Sequence, residues 1–237
     1  MRVPILVYHR VTDAPLPELQ RYAVRPVAFR RQMRLLRLGG WTTIGPDDIV
    51  AARRDGAPLP RRPVMLTFDD AYAELEESAV PVLRANRQTA TIYACMDLLG
   101  APSDRLHRDD RDEGATLMDG AALRRVRGVG MSVGSHGRTH VRLTGLDDDR
   151  LAEELAGSRA LLAEALDEDV LHLAYPYGDH DPRVAAAAQR AGYLTAVTTD
   201  SGVADEQSLM ALPRNYVFWG EGGVRIGVRL LRMCRAG

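Results

Sequence analysis

The feature that most constrains this chain of 237 residues is an alternation of short apolar runs with segments of helical periodicity, repeated from one end to the other. The runs are Ile5-Leu6-Val7, Val64-Met65-Leu66-Thr67-Phe68, Thr89-Ala90-Thr91-Ile92-Tyr93, Met131-Ser132-Val133, Leu171-His172-Leu173-Ala174 and Leu194-Thr195-Ala196-Val197. Each has the length and composition of a strand buried on both faces. Between them, Pro26 to Leu38 sets Phe29, Met33 and Leu36 at helical spacing behind an initial proline, and Gly39-Gly40 ends the segment. Asp147 to Leu166 forms a second helix, with aspartates in its first turn and Leu151, Leu155, Leu162 and Leu166 along one face. Asp181 to Ala191 forms another, ended by Gly192. Strands that alternate with helices require a mostly parallel sheet, and this many units predict an α/β barrel or barrel-like sheet rather than an open doubly wound one, as one domain over 1–237. Two segments interrupt the pattern. Arg53 to Arg62 reads as a connector, and Ser103 to Gly114, with His107, Asp109, Asp110 and Asp112, reads either as a lid or as a solvated loop.

Charge narrows the function. The 31 basic residues, all arginine, nearly balance 32 acidic ones, so no net field draws the chain to nucleic acid. With no lysine, no lysine side chain can act as a base or form a Schiff base. Cys95 and Cys234 lie far apart and outside any metal-type spacing. The apolar stretch near the N-terminus is shorter than a signal h-region, and no run reaches the ~20 apolar residues of a membrane span. The sequence as given is therefore expected in the cytoplasm.

Four strand ends carry residues suited to chemistry. Thr67-Phe68-Asp69-Asp70 sets two carboxylates where a buried strand ends, the position at which barrel enzymes hold catalytic groups, although one aspartate in that place can also cap a helix. Ser135-His136-Gly137-Arg138-Thr139-His140 offers two imidazoles at the end of another strand. Two imidazoles and one carboxylate leave a coordination position open for water, as in catalytic metal sites. Tyr175-Pro176-Tyr177-Gly178 closes a third strand with a turn that can aim a backbone N–H at a substrate oxygen. The first strand ends in Tyr8-His9-Arg10-Val11.

Taken in order, these segments resemble the polysaccharide deacetylase family, the NodB-homology domains of carbohydrate esterase family 4. Thr67-Phe68-Asp69-Asp70 resembles its TFDD motif, His136 to His140 its H[ST]xxH motif, and Pro176-Tyr177-Gly178 its PYG motif. Leu143, Glu153, Glu154 and Ser158 look like the continuation of the second motif. The resemblance covers about residues 3–217 and leaves 218–237 as a C-terminal tail. It implies a distorted (β/α) barrel of the NodB type and hydrolysis of an N-acetyl group on an aminosugar or glycan. On that reading Asp70, His136 and His140 hold a divalent ion, Zn²⁺ first, with Co²⁺, Ni²⁺, Mn²⁺ and Fe²⁺ equally compatible with the donor set. Asp69 is then the general base, and the Tyr177 backbone N–H helps to hold the oxyanion.

The departures from the pattern are informative. Ala71 replaces the glycine that follows TFDD, and Gly137 takes the usual Ser/Thr position. The arginine before the proline motif is replaced by Leu173-Ala174, and the late Leu-x-His by Leu212-Pro213-Arg214. With the early Tyr8-His9, this combination looks like the subgroup that deacetylates poly-β-1,6-N-acetylglucosamine and related surface glycans. That resemblance gives the acid role to His9 and lets Arg214 replace the missing arginine by pairing with Asp69 and lowering its pKa. Asp200 lies at a further family motif whose tryptophan is absent here. Among the remaining residues, His172 reads as a satisfied core histidine, and Phe218-Trp219 as either an aromatic face for a sugar or core packing. Two alternatives stay open: a deacylase or deformylase acting on a non-sugar amide, and a catalytically silent metal-binding barrel. Retention of Asp69 argues against the second. Oligomeric state stays open as well.

Overall fold

The computed structural model describes residues 2–106, 114–205 and 208–235. Its strands are β1 (Ile5–Tyr8), β2 (Arg10–Val11), β3 (Ala23–Val24), β4 (Thr42–Ile44), β5 (Pro63–Phe68), β6 (Thr91–Ala94), β7 (Ser132–Ser135), β8 (His172–Ala174), β9 (Thr195–Val197) and β10 (Asn215–Tyr216). All but β2 and β3 join one curled parallel sheet, in the order β10-β1-β5-β6-β7-β8-β9, with β4 also paired to β5. The sheet nearly closes on itself. Leu212 bridges Val197 of β9, and three residues later Asn215 pairs with Leu6 of β1, so one short segment spans both open edges. The result is a distorted (β/α) barrel.

The helices are α1 (Pro26–Leu38), α2 (Pro46–Arg54), α3 (Leu75–Ser78), α4 (Val80–Ala85), α5 (Gly120–Gly128), α6 (Asp148–Ala152), α7 (Ser158–Leu166), α8 (Pro182–Arg190) and α9 (Gly223–Arg235). Side-chain alternation divides the buried residues into two clusters. Leu6, Leu66, Phe68, Ile92, Leu173 and Ala196 face outward beneath the helices, against Phe29, Met33, Leu155 and Val184. Ile5, Met65, Tyr93, Ala174 and Val197 face into the barrel, where Ile44 and Ile49 join them. Both faces of each strand are therefore apolar, which is why the sequence reads as continuous runs rather than as an alternation.

The structure adds three details to the sequence reading. The Asp147–Leu166 helix contains a π turn, Glu153–Gly157, between α6 and α7. The connector after α2 begins only after Arg54. The C-terminal tail folds into α9, which packs on α1 and buries Ile226 and Leu230 in the main core. The lid candidates His107, Asp109, Asp110 and Asp112 lie outside the described residues. No described helix is long and apolar enough to cross a membrane.

Candidate active site

Inward and outward positions alternate along β5, and Asp69 continues the inward set of Met65 and Thr67 because its N–H extends the ladder to the Tyr8 carbonyl at 3.0 Å. The carboxylate therefore hangs into the barrel mouth. There it meets Arg214, a fully buried side chain delivered by the segment leading into β10. Arg214 Nη1 and Nη2 donate to the two Asp69 oxygens at 2.6 and 2.7 Å, Nε donates to the Thr198 carbonyl at 2.8 Å, and Nη1 also reaches Thr67 Oγ1 at 3.2 Å. Burial alone would raise the Asp69 pKa, but the Arg214 charge and hydrogen bonds, with His136 and His9, hold it well below the usual carboxylate range. The pairing expected from the sequence is thus realised as a two-pronged, charge-assisted contact.

Past Asp69 the chain turns sharply, with Asp70 at φ 69° and Ala71 at φ 51°. The turn directs the Asp70 carboxylate away from Arg214 and toward the end of β7. His136 Nε2 and His140 Nε2 lie 3.5 and 3.4 Å from the same oxygen, Asp70 Oδ1. That oxygen is buried and has no hydrogen-bond partner among the described residues. The far nitrogens are already engaged: His136 Nδ1 contacts the Ala174 carbonyl at 2.7 Å and His140 Nδ1 the Leu106 carbonyl at 3.2 Å. With Nδ1 carrying the proton, both Nε2 lone pairs face a carboxylate oxygen, an arrangement that only a shared proton or a cation relieves. One ligand atom from each of the three residues lies within 4.8 Å of the others, so the donor set fits a divalent ion, with the Ala174 and Leu106 carbonyls orienting the two rings.

The loop that presents the two histidines is held from outside. Glu154, on the π turn, is buried and accepts hydrogen bonds from the N–H of Arg138 at 2.8 Å, the N–H of Thr139 at 3.0 Å and the Thr139 hydroxyl. The π turn re-aims one carboxylate within an otherwise regular helix. Gly137 sits at φ 75°, and a Cβ there would stand 3.3 Å from both Glu154 and Pro176. That crowding accounts for glycine at the motif's Ser/Thr position. Of the six described non-glycine residues with positive φ, four (Asp70, Ala71, His140 and Tyr177) line or adjoin this site, so the strained backbone gathers where these side chains converge.

Walls rise on two sides of the cleft, which opens to solvent. On one side His9 stacks parallel to Tyr216, with centroids 5.9 Å apart, and tilts against Tyr22 at 5.1 Å. Burial lowers the His9 pKa, and the charges of Asp70 and Asp69 oppose that shift. On the other side the Tyr177 ring packs against His140 at 4.6 Å, with Arg142 above it at 4.5 Å. All seven residues singled out by the sequence line this cleft or, in the case of Arg214, support its floor.

The family model for polysaccharide deacetylases matches residues 56–196. The chain belongs to the polysaccharide deacetylase family. The matched stretch holds both carboxylates, both imidazoles and the Tyr177 turn, whereas His9 and Arg214 lie outside it. The Bacillus subtilis protein YxkH, named for the same family, is 26% identical over 98% of this chain and 77% of its own length. The Escherichia coli poly-β-1,6-N-acetyl-D-glucosamine N-deacetylase is 26% identical over 87% of this chain, which spans only 35% of that enzyme. Among solved structures, the Streptococcus pyogenes deacetylase PplD superposes with a TM-score of 0.85 at 23% identity, covering 97% of this chain and 98% of its own, and this likeness establishes the deacetylase fold.

Glu154, Tyr22 and Tyr216 are the site residues whose roles the sequence left unstated. Glu154 was visible only as part of the motif's continuation. Neither tyrosine sits in a motif, and no local signal placed either one at the cleft.

Proposed function

We propose that this protein is a metal-dependent de-N-acetylase of an aminosugar or glycan. The observation that carries the proposal is the buried Asp70 oxygen, without a hydrogen-bond partner and faced by two imidazoles, beside a second carboxylate already fixed by arginine. Asp70, His136 and His140 would hold a divalent ion, which when bound acidifies water and polarises a carbonyl. Asp69, kept ionised and oriented by Arg214, takes a proton from the attacking water. The Tyr177 backbone N–H steadies the oxygen of the tetrahedral carbon. His9 hands a proton to the leaving nitrogen as the C–N bond breaks, giving acetate and a free amine.

The test measures metal content and acetate release together, on N-acetylglucosamine, its nucleotide- and lipid-linked forms, and short β-1,6 and β-1,4 oligomers. Bound metal with release that disappears in Asp69→Asn, while the metal stays, is the expected result. Metal without release from any substrate would move the assignment to a non-sugar amide or a silent barrel. Absence of metal would overturn the ligand assignment itself.

A further inference from the structure

Beside the cleft, the aromatic wall continues outward. Tyr216 stacks on His9 on its inner side and on Phe218 on its outer side, the latter at 6.0 Å and 22°. Phe218 is 52% exposed and opens a second groove, bounded by the start of α9 and floored by Glu221 and Arg229. Arg225 and Arg232 stand exposed along that groove. Glu221 is already engaged by Arg229 at 3.2 Å, so the groove carries net positive charge. Nε and Nη2 of Arg229 are buried with no hydrogen-bond partner among the described residues. The near-neutral total charge of the chain conceals this local concentration.

We propose that this groove is a subsite for an anionic group, carboxylate or phosphate, on the glycan whose acetamide lies in the cleft. Phe218 offers a flat apolar face for the intervening sugar ring, and the exposed Arg225 and Arg232 receive the anion, with the charge of Arg229 behind them on the groove floor. This rests on the de-N-acetylase reading and deepens it. Each turnover converts a neutral acetamide into an amine that is protonated at neutral pH. A groove lined with arginine repels such a product unit from the neighbouring position and attracts an acidic one. Substrate preference is therefore set against glycans already deacetylated next to the reacting sugar.

The experiment compares acetate release from three N-acetylglucosamine oligomers of equal length: one neutral, one ending in a uronate or a phosphate, and one carrying a free amine beside the reacting unit. The wild-type protein should rank them anionic, neutral, amine by kcat/KM. In R225E/R232E the ratio of anionic to neutral should fall about tenfold, mainly through KM, and the wild-type ratio should shrink with added salt. Phe218→Ala should raise KM for both the neutral and the anionic oligomer, by about threefold. Uronate and phosphate arms tell the two anions apart. An unchanged ratio in R225E/R232E overturns the subsite. Should no oligomer release acetate, binding followed by Trp219 fluorescence still decides: salt-sensitive binding of the anionic oligomer, lost in R225E/R232E, upholds the groove while the de-N-acetylase reading fails. Binding instead to vesicles of phosphatidylglycerol and phosphatidylcholine, with none to the oligomers, overturns the subsite in favour of a membrane contact.

Discussion

His136 and His172 stand at neighbouring strands of one sheet, the first just past β7 and the second in β8; both are buried and both face an aspartate, yet their surroundings are opposite. His172 opens β8, and both ring nitrogens are satisfied: Nδ1 contacts Thr195 Oγ1 at 2.9 Å and Nε2 contacts Asp47 Oδ1 at 3.0 Å. Asp47 keeps 77% of its side chain in solvent, which serves its remaining lone pairs. His136 follows the end of β7, and there the carboxylate is buried, its nearest oxygen has no hydrogen-bond partner, and a second imidazole converges on the same atom. One end of the sheet closes its polar groups on each other. The other holds its groups apart, at a cost in stability that only a ligand recovers.

That contrast can be broken most forcefully at Arg214. Arg214→Met leaves Asp69 charged and buried without its partner and should destabilise the protein by about 3–5 kcal/mol, read from urea unfolding. The double variant with Asp69→Asn should recover part of the loss. Glu154→Ala removes the acceptor of two backbone N–H groups in the histidine loop and should cost about 3 kcal/mol, with metal content falling alongside. A regain of both in Glu154→Gln would show that the hydrogen bonds, not the charge, position the loop.

Asp70→Asn should act in the opposite direction. In metal-free protein its amide can donate to a facing imidazole, and stability should rise by about 1 kcal/mol while metal binding is lost. With chelator present, a lower thermal stability of Asp70→Asn than of wild type would mean that the site is closed without a metal. The smallest effect belongs to Asp47→Asn, a few tenths of a kcal/mol for so exposed a pair. The hydrogen bond from His172 holds the Asp47 pKa below its ordinary value, so its contribution is present above the carboxylate range and fades as pH falls through the depressed value. Wild type and variant should therefore differ in Tm at neutral pH and converge in acid, with metal content unaffected throughout.

Much of the fold was legible because its signals are local. Proline at the start and paired glycines at the end bounded α1 at Pro26–Leu38, and apolar runs located β1, β5, β6, β7, β8 and β9 to within two residues. The strand β10 has only two residues, and α3 and α4 have four and six, too few to show a period. His172 could be read as a core residue because a lone imidazole inside an apolar run usually is. The π turn could not be read at all, since Glu153-Glu154 fits an uninterrupted helix equally well and only the loop it must reach makes the extra residue worthwhile.

The sequence by itself determined the parallel α/β architecture, the cluster of polar residues at successive strand ends, and the family they mark. Period, capping and motif spacing are properties of near neighbours, and they survive without knowledge of what packs against them. Tertiary structure decided the rest. The two-pronged grip of Arg214 on Asp69, expected only as a pairing, is fixed by the fold across 145 residues, and the two carboxylates diverge because left-handed backbone at Asp70 and Ala71 turns one toward arginine and the other toward histidine. Whether a buried oxygen is satisfied depends on every group that surrounds it, and those groups come from strands, loops and a π turn that meet only when the sheet has curled into a barrel.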